Sequence, residues 1–332
     1  MVNILIKPDV LDSEIQRKNR CIEKANVGDQ ETIHDNINSV CEPWSGQPSR
    51  FFFFMINDRT YCGQKLLSPL VMQYGCASLF CSQIKVEMIL GYFLRTQTSE
   101  TGVEIFYKDI SAKTRHVLFS ELMKNRFIDI YFPYVHLGSK NKMEIASPAN
   151  GWTVDDHFEN LLNWGELEQR KITLDFLAAD NVQSSPVIYD PACSTGQFLS
   201  LIKKAIPNAM TIGQDLSRDM CDRATPLLDK VIHGDAMCPG VSSASCDYIF
   251  FRFLNAEVVS TPMATRLFEA IIPCLKVTGK AIIFGFTPVL IALPYLMQHG
   301  FTIHGCNAAL PEQGVIIQYY IIGRPCIASQ FF

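Results

Sequence analysis

The chain has 332 residues, 48% of them hydrophobic and 19% charged, with a formal net charge of -4 at pH 7. That composition fills the core of one large domain or two ordinary ones and excludes a wholly disordered chain. With an acidic balance and no Lys/Arg stripe, neither nucleic acid nor an anionic membrane is the expected partner, and no run reaches the ~20 apolar residues of a membrane span.

Twelve cysteines are scattered without a CxxC pair or zinc-ligand spacing. In a chain this long they read as reduced, buried thiols, and the expected compartment is the cytoplasm. The opening MVNILIKPDVLDSE is too short an apolar run for a signal peptide. Residues 1 to about 45 are polar and weakly periodic. At Phe51 the run FFFFMI begins, a strand buried on both faces or a cavity wall, closed by the turn signal Asn57-Asp58. From Gln64 to about Arg126, VEMILGYFLR and HVLFSELMKNRF place apolar residues three and four apart, which predicts helices around a short strand in GVEIFYKDI. The Pro/Gly/Ser/Asn-rich stretch YFPYVHLGSKNKMEIASPANG then marks a domain boundary or an active-site loop. The expected division is residues 1–150, a mainly helical accessory domain serving as a lid or a homodimer interface, and residues 151–332.

After Gly151 strands and helices alternate. A helix over Thr153 to Ala179 leads to the strand PVIYD and the helix QFLSLIKKAI. Then come the strand AMTIGQD, the helix RDMCDRATPLL, the strands KVIHGDA and CDYIFF, and the helix MATRLFEAIIPCL. The strand KAIIFGF, the helix VLIALPYLMQHG and the strands FTIHGC and VIIQYYIIG close the chain. Such alternation predicts an α/β fold with a parallel sheet covered on both faces and an antiparallel closing pair.

Ligands of such sheets sit at the carboxyl ends of the strands, so the strand ends carry the functional reading. Three successive ends are carboxylates, Asp190, Asp215 and Asp235. They would repel one another unless a ligand supplied donors: an ammonium for the first, two ribose hydroxyls for the second, an adenine amino group for the third. The loop after the first strand, Pro191-Ala192-Cys193-Ser194-Thr195-Gly196, holds one glycine. A pyrophosphate cradle favours several, so the expected ligand carries no phosphate.

VIYDPACSTGQFL, IGQDLS, HGDA, CDYIFFRFLN and LKVTGKAIIFGF, in this order, resemble the class I S-adenosylmethionine-dependent methyltransferase superfamily over residues 187 to 323. The resemblance implies a Rossmann-like seven-stranded sheet with an antiparallel closing strand, and S-adenosylmethionine as cofactor. It implies that Asp190 lies by the cofactor's amino group and that Ala192, Cys193, Ser194 and Gly196 line its methionine part. Asp215 would take the ribose hydroxyls beside Leu216 and Ser217, and Met220 would lie against the adenine. Asp235 and the Ala236 N–H would meet the adenine edge.

The DPAC loop is also found in adenine-N6 DNA methyltransferases, but their (N/D)PP(Y/F) motif is replaced here by FFRFLN. A small-molecule acceptor, hydrophobic or amino- or keto-acid-like, is therefore expected. Candidate catalytic residues are Arg252 for a substrate carboxylate, Asn255 beside it, Tyr134 over the sulfonium and His157 as a base. No metal is expected, since no acidic pair follows the fourth strand. A second class of reaction cyclises the cofactor's own aminobutyryl part, as azetidine-2-carboxylate synthases do, and releases methylthioadenosine.

Overall fold

The structure is a computed structural model that describes residues 37–43, 51–65, 82–134, 151, 153, 166–180, 184–256 and 258–324. The chain forms two compact units, Met1–Glu144 with Asn307–Gln318, and Ile145–Cys306 with Tyr319–Phe332. Among the described residues no helix is long and apolar enough to cross a membrane.

Among its described residues the first unit is built mainly on strands. β1 (Ile37–Pro43), β2 (Phe51–Ile56), β3 (Arg59–Gln64), β4 (Ile89–Thr98) and β5 (Gly102–Asp109) form one antiparallel sheet in the order β1-β5-β4-β3-β2. Phe51 to Phe54 are all buried, so the phenylalanine run is a strand covered on both faces. Phe53 meets Phe93 edge-on at 4.9 Å, while Phe52 stacks with Phe54 at 6.4 Å.

The expected mainly helical domain is thus corrected at VEMILGYFLR, most of which is β4. Its first residues, Ile89 and Leu90, are both buried, so the period-2 signal is lost where the strand begins. Gly91 and the aromatic and β-branched residues favour a strand once β3 and β5 pair on either side. Among the described residues of this region one α-helix is observed, α1 (Ala112–Lys124), started by Ser111, whose side chain accepts from the Thr114 N–H.

The second unit begins with α2 (Leu167–Ala179), β6 (Val187–Asp190), α3 (Gln197–Ala205), β7 (Met210–Asp215), α4 (Arg218–Ala224) and β8 (Lys230–His233). It continues with β9 (Cys246–Phe251), α5 (Thr261–Ile271), β10 (Leu275–Phe284) and α6 (Leu293–Gln298), and the chain goes on with β11 (Thr302–Leu310) and β12 (Val315–Gly323), of which residues 307–318 group with the first unit. The seven strands order as β11-β12-β10-β9-β6-β7-β8. β6 to β10 run parallel, and β12 pairs antiparallel with β10.

β9 lies at the centre, and all six of its residues are buried. Phe251 packs on Phe268 of α5 at 5.3 Å, and Phe250 packs on Phe198 of α3 at 5.0 Å. A strand sandwiched between helices needs apolar residues on both faces, which is why CDYIFF shows no alternation. α6 is shorter than VLIALPYLMQHG predicts, because Pro294 is tolerated only in the first turn of a helix.

Asn57 and Asp58 form the two-residue turn between β2 and β3, with φ of 50° and 58°. Hairpins of this kind favour Asn-Gly. Asp58→Gly removes a side chain from the left-handed region and stabilises the protein by roughly 0.5 kcal/mol, read as a higher thermal midpoint.

Candidate active site

β6 and β9 are neighbours, but the chain leaves β6 towards β7 and returns on the other side at β9. The crevice between their carboxyl ends is the topological switch point. The last residue of β6, Asp190, is fully buried there, and Arg252 follows the last residue of β9. The Arg252 Nε–H donates to Asp190 Oδ2 at 2.7 Å, and Nη2 donates to the Ala192 carbonyl at 3.3 Å. Its Nη1 donates to Glu166, ahead of α2, and the guanidinium lies 4.5 Å above the Phe198 ring.

Burial lifts the Asp190 carboxyl above the usual aspartate range, with Arg252 pulling the other way. Desolvation disfavours the charged guanidinium, yet Asp190 and Glu166 outweigh it and hold Arg252 above its usual range. We treat the group as ionic at neutral pH, since a close charge-assisted bond is what offsets the desolvation of both partners.

The second carboxylate closes β7. Asp215 Oδ2 accepts from the Ser194 N–H at 2.8 Å and Oδ1 from the Ser217 N–H at 2.9 Å. Burial lifts its carboxyl above the ordinary range, opposed chiefly by these two donors. A carboxylate has about four acceptor positions, so acceptor capacity remains for the donors of a ligand. Ser217 also caps α4, accepting from the Met220 N–H, and the Ser194 hydroxyl points at the Met220 sulfur at 3.4 Å. Gly151 has φ +76°, and a Cβ there would fall 2.6 Å from the Ser217 nitrogen, so only glycine fits against this loop.

The third carboxylate, Asp235, is exposed two residues beyond β8 and accepts from the Met237 N–H at 2.8 Å. Its loop is held by a residue that the motifs did not single out, Gln214. The buried Gln214 amide donates to the Asp235 carbonyl at 2.9 Å and to the Cys238 carbonyl at 3.2 Å. Its oxygen accepts from the Tyr189 hydroxyl at 2.6 Å and the Gly240 N–H at 2.8 Å. Ala236 is buried beside it, and the carbonyl of Leu216 accepts from His233 Nε2 at 3.2 Å.

The loop after β6 spends four of its five N–H groups internally, Thr195 being the exception. Ala192 donates to Asp190, Cys193 to the Gln214 carbonyl, Ser194 to Asp215 and Gly196 to the Cys193 carbonyl, while Pro191 has no N–H. Gly196 has φ +78°, and a Cβ there would meet Ala224 at 2.9 Å. A phosphate cradle needs free N–H groups aimed outward. This loop instead orders carboxylates, which suits a nucleoside without phosphate. Burial pushes the Cys193 thiol up, so it is no ready nucleophile.

Thus Asp190, Ala192 and Arg252 bond directly, and so do Ser194, Asp215, Ser217 and Met220. Asn255 is buried, with its amide on the Thr287 hydroxyl at 2.9 Å, where it links the loops after β9 and β10. Tyr134 belongs to the first unit, with its ring 6.1 Å from Phe53. His157 lies outside the described residues. Glu166 and Phe198 were not expected at the site; Glu166 precedes β6 by more than twenty residues, and Phe198 reads as an ordinary core position of α3.

Arg252→Met leaves Asp190 buried without its counter-charge. We expect it to destabilise the protein by about 3–5 kcal/mol. Urea unfolding measures this, with the midpoint falling and the slope unchanged.

Residues 188–279 match the family model described as a methyltransferase domain. The chain is 32% identical over 246 residues, 74% of its own length and 80% of the relative's, to isonocardicin synthase of Nocardia uniformis subsp. tsuyamanensis. Among solved structures it is similar to magnesium protoporphyrin IX methyltransferase of Synechocystis PCC 6803 with bound S-adenosylmethionine, at 14% identity and TM-score 0.41 over 53% of this chain and 88% of that one. It is similar also to a sugar N-methyltransferase of Streptoalloteichus sp ATCC 53650, at 13% identity and TM-score 0.41 over 55% of this chain and 99% of that one. The chain belongs to the class I S-adenosylmethionine-dependent methyltransferase superfamily, as a transferase whose cofactor is S-adenosylmethionine.

Proposed function

We propose that this chain transfers the methyl group of S-adenosylmethionine to a small metabolite, hydrophobic or amino- or keto-acid-like. The observation that carries the reading is the row of carboxylates at the ends of β6, β7 and beyond β8, with Asp215 fixed by the Ser194 and Ser217 N–H groups. In this reading Asp215 takes the ribose hydroxyls and Asp235 the adenine amino group. Asp190, Ala192, Cys193, Ser194 and Gly196 border the methionine part, while Leu216, Ser217, Met220 and Ala236 shape the nucleoside walls.

The bound cofactor supplies an already activated methyl on its sulfonium, so the protein mainly aligns the acceptor and excludes water. Arg252 serves by holding Asp190, Glu166 and the Ala192 carbonyl in place. Asn255 serves by tying the two loops that border the acceptor side.

A second reading keeps the cofactor and changes the bond that breaks: the aminobutyryl arm cyclises and methylthioadenosine leaves. One observation favours it, that the curated relative is named a synthase.

Asp215→Ala removes two charge-assisted acceptors and should weaken S-adenosylhomocysteine binding by 10-fold or more in calorimetry, with circular dichroism unchanged. Protonation of Asp215 has the same consequence. Because its carboxyl is raised, affinity falls with decreasing pH from above the ordinary aspartate value of about 3.9. Incubation with S-adenosylmethionine separates the two reactions. S-adenosylhomocysteine formed only with an added acceptor supports methyl transfer, and methylthioadenosine formed without one overturns it.

A further inference from the structure

Gln169 is 1% exposed, and neither its amide nitrogen nor its amide oxygen has a hydrogen-bond partner among the described residues. Native interiors rarely leave both ends of an amide unsatisfied, because each has given up water. Its height in the fold follows from the partners of α2. The helix ends at Asp180, which accepts from the Tyr248 hydroxyl of β9 and pairs with Lys280 of β10. One turn earlier, Phe176 meets the Tyr248 ring edge-on at 6.5 Å. Next, Thr173 shares a hydrogen bond of 2.8 Å with the Tyr319 hydroxyl, and Tyr319 is in register with Phe284, the last residue of β10. α2 therefore climbs towards the carboxyl ends of the strands. Gln169, one turn of about 5.4 Å further on, stands beyond the end of β10. Glu166, at the top of that climb, reaches Arg252.

Gln169 thus lies on the β9–β10–β12 side of the switch point, away from the three nucleoside carboxylates and on the side left for the acceptor. A primary amide donates and accepts side by side. A carboxylate alone would satisfy its nitrogen and strand its oxygen.

We infer that Gln169 is a specificity-determining residue that recognises an acceptor bearing an adjacent donor and acceptor, either a carboxamide or the ammonium and carboxylate of an amino acid. The inference rests on the transferase reading above and deepens it. The cofactor's own amino-acid arm has the same hydrogen-bonding pattern, so the test separates the two sources.

The protein is saturated with S-adenosylhomocysteine and titrated, by ligand-observed NMR, with phenylacetamide, L-phenylalanine and n-propylbenzene. Phenylacetamide or L-phenylalanine should bind at least 10-fold more tightly than n-propylbenzene. Gln169→Leu should abolish that preference while S-adenosylhomocysteine affinity stays within twofold. Gln169→Glu, which keeps the volume and loses the donor, should abolish it for phenylacetamide as well and guards against a Leu variant that does not fold. A preference that is absent from the wild type, or survives in both variants, overturns the inference. So does a loss of S-adenosylhomocysteine affinity with probe binding unchanged, which would place the cofactor's arm on Gln169. Failure of the wild type to bind S-adenosylhomocysteine at all would instead sink the transferase reading, and this inference with it.

Discussion

Arg252 and Asp190 are bonded at the switch point of the sheet, where the chain order reverses between β6 and β9. Neither charge is stable there alone. The aspartate needs the guanidinium, and the guanidinium needs two carboxylates and the face of Phe198. Since Arg252 also binds the Ala192 carbonyl, and Ala192 binds Asp190, the pair sets the start of the loop after β6. That loop in turn presents the Ser194 N–H to Asp215. The ion pair therefore orients the second carboxylate through two intervening hydrogen bonds.

The crevice divides along the same line. On the β7–β8 side, buried Gln214 fastens the loop bearing Asp235 while the backbone N–H groups fasten Asp215. On the β9–β10 side, Asn255 and Thr287 join two loops, and Gln169 stands beyond the strand ends. The first side carries carboxylates and suits the donors of a nucleoside. The second carries buried amides and a hydroxyl, which suit a polar group on an otherwise apolar acceptor. This division follows from the strand order, which reverses between β6 and β9; on the proposed reading the sulfonium lies at that reversal point.

The second unit was legible in the sequence because its strands end in carboxylates at regular intervals and its helices carry clear apolar stripes, as in QFLSLIKKA. The glycine-poor loop was legible too: its internal hydrogen bonds explain why one glycine suffices. The first unit was not. FFFFMI and the Asn57-Asp58 turn marked one hairpin, but Ile89 and Leu90 are buried on both faces of β4, and a run without alternation reads equally as helix. At the site, strand-end residues were found by position. Glu166 and Gln214 were missed because their roles depend on what lies across the fold, Arg252 and the Asp235 loop, rather than on sequence neighbours.

The central claim is that the carboxyl ends of β6, β7 and β8 hold the nucleoside of the cofactor while the Arg252–Asp190 pair stays closed beside it. A crystal structure with S-adenosylhomocysteine tests this most directly. The account predicts both ribose hydroxyls within hydrogen-bonding distance of Asp215, the adenine amino group on Asp235, and the Arg252 Nε–H still on Asp190. A nucleoside bound elsewhere, or an Arg252 swung away from Asp190 to meet the ligand, would contradict it.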